Sequence, residues 1–222
     1  MGTKLELTAR DGGSFSVYRA EPPAEVRGVV VVVQEIFGVN HHIRSVADGF
    51  ARDGYLALAP ALFDRLERDV ELTYDAPSIA HGGAFPRKLG WEAPLDDIQV
   101  TVDAVAEAGR VAIVGYSWGG SLAFRSAARV KGIACAVGYY GGHIVLQLDQ
   151  VPRVPLQLHF GEKDAGIPLS DVEKIRQAIP TAEIHTYPAG HGFNCDERQA
   201  YDALSAALAR GRTIDFIGQH VG

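Results

Sequence analysis

The sequence predicts one α/β domain over residues 1–222, with a mostly parallel central sheet, helices on both faces and an antiparallel hairpin at one edge. Three observations predict it. GVVVVVQ, Gly28 to Gln34, is apolar on both faces and β-branched, as a strand in the middle of a parallel sheet must be. Similar short runs alternate with segments of helical spacing, which implies right-handed crossovers and a doubly wound sheet. The opening LELTA and FSVYRA flank Asp11-Gly12-Gly13, a turn that folds two strands back on each other.

In chain order, the expected strands after Gly28–Gln34 are 55–60 (YLALAP), 110–115 (RVAIVG), 133–140 (IACAVGYY), 155–161 (PLQLHFG) and 182–188 (AEIHTYP), each ending near Gly or Pro. The expected helices are 42–53, 95–108, 118–130, 169–178 and 196–210, and TIDFIGQH reads as a short closing helix. The stretch 63–93 is long, mixed in polarity and punctuated by Gly and Pro. It reads as a loop or lid-like insertion outside the core.

Composition excludes some classes of function. A hydrophobic share of 47% and a charged share of 22% suit a soluble globular chain, and a formal charge of −6 lacks the basic excess that a phosphate backbone attracts. Nucleic acid is therefore not an expected partner. No segment reaches the roughly 18 to 20 apolar residues of a membrane span, and MGTKLELTARDGG has no apolar leader core, so a cytoplasmic protein without a membrane partner is expected. The two cysteines, Cys135 and Cys195, form no CxxC pattern, and the histidines show no metal spacing. No metal is implied, and His41, His42, His81, His143, His159 and His185 read as surface or helix-start residues.

VGYSWGG, Val114 to Gly120, follows an expected strand and precedes an expected helix, the setting in which G-x-S-x-G forms a nucleophile elbow. On its own the motif also suits a glycine-rich helix start with a serine cap. A serine hydroxyl needs a base at neutral pH, and the chain supplies an acid and then a histidine downstream: Asp164 in HFGEKDAGIP and His191 in YPAGHGFNCD. Each follows an expected strand, so all three loops emerge at one edge of the sheet. His191 would take the Ser117 proton and Asp164 would orient its ring. The oxyanion of a tetrahedral intermediate would bind the backbone N–H groups of Trp118 and, in QEIFGVN after the central strand, Ile36. Glu35, at the end of an apolar strand, reads as either a functional or a satisfied structural carboxylate. Phe37, Tyr74, Phe85, Trp91 and Phe193 are candidate pocket walls, and Trp118 either lines the acyl pocket or packs on the lid.

With these residues in hand, the chain resembles the dienelactone hydrolase family of α/β-hydrolases. The likeness is carried by QEIFGVN, GYSWGG, GYYGG, HFGEKDAGIP and HGFNCDERQAYD, five blocks in the family's order over nearly the whole length. It implies hydrolysis of enol-lactones or other small carboxylic esters by a monomer or weak dimer, without metal or organic cofactor. It further implies Ser117 as nucleophile, Asp164 as acid, His191 as base, Glu35 as an additional active-site carboxylate and Tyr140 near the substrate.

Two departures stand out. Many members carry cysteine at the position of Ser117. A thiol of pKa about 8.5 is readily held as thiolate, whereas a serine must be deprotonated during attack, so Glu35 is left to hold its loop or meet substrate. The family's arginine shortly after the catalytic histidine is replaced by Cys195, which cannot clamp a carboxylate as a guanidinium does. Arg65, Arg68, Arg87 and Lys88 in the 63–93 stretch are the candidates to compensate, and a less anionic ester is the better expectation. The alternatives are a thioester or amide acyl hydrolase, and a non-catalytic ligand-binding relative, including an inactive form with serine in place of cysteine.

Overall fold

The computed structural model describes residues 2–222. Eight strands form one sheet in the order β1-β2-β4-β3-β5-β6-β7-β8. β1 (Thr3–Thr8) and β2 (Ser14–Ala20) make the antiparallel edge hairpin, and β2 also runs antiparallel to β4 (Tyr55–Pro60). From β4 onward the sheet is parallel through β3 (Gly28–Val33), β5 (Val111–Tyr116), β6 (Ile133–Tyr139), β7 (Leu156–Gly161) and β8 (Glu183–Tyr187). Every residue of β3, β4, β5 and β7 is buried, so both faces of the sheet are covered.

The covering helices are α1 (His41–Arg52), α2 (Ala76–Gly82), α3 (Ala84–Leu89), α4 (Glu92–Asp103), α5 (Trp118–Arg129), α6 (Leu169–Ala178) and α7 (Ala203–His220). α1 starts where the Asn40 side chain accepts the N–H of Ile43, a cap that satisfies one of the free donors of the first turn. α4 begins three residues earlier than its apolar spacing suggests, because Pro94 is tolerated in a first turn whose N–H groups have no partner in any case.

Two expectations need correcting. The last helix does not start at Asp196. Residues 196–202 form turns, Asp202 caps the helix by accepting from Ser205 N–H, and α7 then runs unbroken through Gly211 and TIDFIGQH to His220. Gly211 directly after Arg210 reads as a helix stop, although α7 passes through it. The 63–93 stretch is more ordered and more deeply packed than a surface loop: it contains α2 and α3, and Phe63, Val70 and Phe85 are buried in the main core. Phe63 stacks on Phe85 with ring centroids 4.4 Å apart and on Trp118 at 5.2 Å, which anchors the stretch over the start of α5. Periodicity fails there because its aromatic anchors are spaced by turns, not by one helix.

Candidate active site

Ser117 stands between β5 and α5 with φ 55° and ψ −114°, a left-handed conformation that costs a non-glycine residue about 1–3 kcal/mol. The surrounding glycines make the turn possible. A Cβ on Gly115 would lie 1.9 Å from the Gly119 carbonyl oxygen, and one on Gly119 would lie 2.3 Å from that of Val33. The helix start and two strands therefore approach closer than any other residue permits, and the serine is forced outward at the carboxyl edge of the sheet.

Asp164 follows β7 and His191 follows β8, and their loops are tied together by the N–H of Lys163 donating to Ala189 O at 2.9 Å. His191 Nε2 lies 2.9 Å from Ser117 Oγ, and its Nδ1 lies 2.6 Å from Asp164 Oδ2. The other Asp164 oxygen accepts the N–H of Gly166 at 2.9 Å. This pattern selects the tautomer with the proton on Nδ1, leaving Nε2 to accept the serine proton. The three residues anticipated from separate loops are thus one hydrogen-bonded chain.

A cleft of about 340 Å³ opens over the serine, lined by Ile36, Gly83, Pro86, Arg87, Ser117, Trp118, Gly142, His143 and His191. Ile36 belongs to the loop after β3, and Trp118 is the first residue of α5, whose N–H has no partner one turn back. Partial burial lowers the affinity of His143 for a proton, and its ring meets Trp91 edge-on at 5.4 Å.

Glu35 is buried beside this chain, not on the cleft wall. One oxygen lies 3.2 Å from Arg198 Nη1, and the other has no partner among the described residues. The Arg198 guanidinium also lies over Phe37 and Tyr74, 5.7 and 5.6 Å from their ring centres. Arg198 is the neighbour of Glu35 that sequence reading missed. Its signal was a cation three residues beyond Cys195, which only a turn at 195–198 brings back toward Glu35: Arg198 N–H donates to Cys195 O at 3.1 Å. Burial pushes the Cys195 thiol up to about 12, so it is protonated and neutral at this position.

Phe37, Tyr140 and Phe193 are all buried, and none lines the cleft. Tyr140 and Phe193 pack behind His191, the Tyr140 ring 5.1 Å from that of His191 and 5.4 Å from Phe193, while Phe37 meets Tyr74 edge-on at 4.6 Å. Burial, and secondarily the Glu35 carboxylate, holds the Tyr140 phenol well above its usual range. Among the candidate cations, Arg65 is committed to Asp97 at 2.6 Å and also to Asp11, and Arg68 to Glu6 at 2.6 Å. Arg87 alone of that set reaches the cleft.

Two of the histidines read as surface or helix-start residues are buried: His42 does stand at a helix start, whereas His159 is at neither place. His42 is a buried residue of the first turn of α1, with Nδ1 3.2 Å from Asp196, and His159 lies in the core between Tyr187 and Gln157. Single donor atoms of His42, Cys195 and Asp196 fall within 4.8 Å of one another, the one such grouping among the described residues. Within it His42 Nδ1 and Asp196 are joined by their hydrogen bond at 3.2 Å. Among the described residues, no helix is long and apolar enough to cross a membrane.

Comparison with known proteins finds relatives over almost the whole chain. The profile of the dienelactone hydrolase family matches residues 15–221. Carboxymethylenebutenolidase 1 of Cupriavidus pinatubonensis is 31% identical over 96% of this chain and 95% of its own length. The carboxymethylenebutenolidase of Pseudomonas putida is 32% identical over 96% of this chain and 94% of its own. A crystal structure from Klebsiella pneumoniae, provisionally named a dienelactone hydrolase, superposes with a TM-score of 0.85 at 32% identity, covering 99% of this chain and 100% of that one.

Proposed function

The chain belongs to the dienelactone hydrolase family, and from that premise we propose that it cleaves small carboxylic esters or lactones through an acyl-enzyme on Ser117. The observation that carries this reading is the unbroken chain from Ser117 Oγ through His191 to the buried Asp164 carboxylate. His191 Nε2 takes the hydroxyl proton as Oγ attacks the carbonyl, and the imidazolium so formed is stabilised by Asp164. Charge developing on the carbonyl oxygen is met by the N–H groups of Trp118 and Ile36, aligned before the reaction begins. The imidazolium returns its proton to the leaving alkoxide. Water then repeats the sequence on the acyl-serine, and for a lactone both product functions stay on one molecule.

With serine as nucleophile, base catalysis belongs to His191. Glu35, engaged by Arg198, holds the loop that bears Ile36 rather than activating Ser117. A cleft whose cationic reach is Arg87 at the rim, with His143 on the wall kept neutral by burial, suits neutral or singly anionic small esters.

Stopped-flow mixing with p-nitrophenyl acetate tests the proposal, beside Ser117→Ala, Ser117→Cys and His191→Ala. The expected result is a burst followed by turnover, lost in Ser117→Ala. Retained turnover in Ser117→Ala ends the proposal, and activity appearing only in Ser117→Cys would assign the site to a thiol.

A further inference from the structure

The loop after β3, residues 34–40, carries Ile36 into the cleft, and it is braced by a segment far along the chain. Leu72 N–H donates to Phe37 O at 2.9 Å, and Gly38 pairs with Glu71 in an antiparallel bridge. Asn40 Nδ2 donates to Leu72 O at 3.2 Å and to the Tyr74 hydroxyl at 3.0 Å, and Arg44 at the start of α1 pairs with Glu71 at 2.8 Å. These bonds secure the loop's outer end.

Its inner end is held differently. Gly82, the buried last residue of α2, lies against the Ile36 peptide so closely that a Cβ there would stand 2.1 Å from Ile36 O and 3.1 Å from its carbonyl carbon. Leu72 Cδ1, also at 3.1 Å, closes the remaining side. At the closest contact backbone meets backbone, where no side chain can yield, so the separation of α2 from Ile36 is fixed by the absence of a side chain at residue 82.

We infer that Gly82, with the Val70–Tyr74 ribbon before it, is a positioning element for the oxyanion hole, setting the Ile36 N–H relative to Ser117. The inference rests on the serine-hydrolase reading above and adds to it a role for the 63–93 stretch: it frames the hole from outside the strand that bears it. A side chain at residue 82 pushes the Ile36 carbonyl, and with it the N–H of the same residue, out of line, and the hole loses one of its two donors while the Ser117–His191–Asp164 triad stays in place. Loss of one such donor costs about 10²-fold or more in kcat and little in ground-state binding.

The test compares wild type with Gly82→Ala, Asn40→Asp and Gly211→Ala. Gly211 lies in α7 with open space around its Cα and serves as the control. Asn40→Asp retains an oxygen to cap α1 but removes the donor to Leu72 O and Tyr74, so it loosens the brace even where Gly82→Ala fails to fold. Steady-state kinetics on a p-nitrophenyl ester and its thiono counterpart reads the hole itself, because a C=S sulfur is a poor hydrogen-bond acceptor and gains little from the donors.

The expected result for Gly82→Ala is a kcat about 100-fold lower, KM nearly unchanged and a much reduced preference for C=O over C=S, with a weaker shift of the same kind in Asn40→Asp and none in Gly211→Ala. Wild-type kcat and carbonyl preference in folded Gly82→Ala, or in Asn40→Asp if the first variant does not fold, overturns the inference while leaving the hydrolase reading intact. Absence of ester turnover in the wild type overturns both.

Discussion

The Asp164 carboxylate lies 2.6 Å from His191 Nδ1 with its own side chain 1% exposed, while the imidazole it orients is one-third exposed. The acid is locked and the base has access to the cleft. Asp164→Asn preserves the shape but presents an amide that also bonds the opposite tautomer, whose Nε2–H cannot accept the Ser117 proton. We expect kcat to fall by about 10⁴-fold with KM nearly unchanged; a loss under tenfold would show that another group orients His191.

The strained backbone at Ser117 makes a prediction about stability. Its φ of 55° is ordinary for glycine and costly for serine. Ser117→Gly should therefore stabilise the fold by about 1 kcal/mol while abolishing turnover, and Ser117→Ala, which keeps a Cβ, should not. Urea unfolding of the three proteins decides it: equal midpoints for the glycine and alanine forms would mean that the strain is not relieved by removing the Cβ.

The three triad residues were legible in the sequence because each sits just past a strand, and strands are announced by local pattern. Ser117, Asp164 and His191 needed only strand order and the rule that parallel strands end on one edge. Arg198 was not legible, since its meeting with Glu35 spans 163 residues and depends on the turns at 192–202. The stacking of Phe63 was hidden for a similar reason: its partners are Phe85 and, beyond the next strand, Trp118, and no periodicity within 63–93 records that. The cleft walls followed from neither pattern, because Gly83, Pro86 and Gly142 line it by backbone placement.

Glu35 and Arg198 form a pair in which the carboxylate side chain is 1% exposed and the guanidinium 17%. Removing the cation leaves an uncompensated buried charge, so Arg198→Met should destabilise the protein by about 3 kcal/mol or more. Adding Glu35→Gln to that variant removes the charge and should recover most of the loss. Denaturant titration of the single and double variants checks the pair, and a double variant no more stable than Arg198→Met would mean that Arg198 acts chiefly by packing on Phe37 and Tyr74.

Stability toward acid should depend on His159. The ring is fully buried, with Nδ1 2.7 Å from the Tyr187 hydroxyl and Nε2 2.9 Å from Gln157 Oε1. Arg212 donates to the same Tyr187 hydroxyl at 3.1 Å, so that hydroxyl is turned to give its proton to Nδ1 and has no lone pair aimed to receive one. Burial above all, then the nearby His185 and Arg212, holds the affinity of His159 for a proton well below its ordinary value of 6.5. The sign follows. Below pH 6.5 the unfolded chain binds a proton that the folded one refuses, so stability is complete above that pH and falls as the solution is acidified, by about 1.4 kcal/mol at one unit below. Urea midpoints at pH 7.5 and 5.5 should show this loss in the wild type and a smaller one in His159→Gln, whatever that variant costs at neutral pH. An equal drop in both proteins would assign the acid sensitivity to groups other than His159.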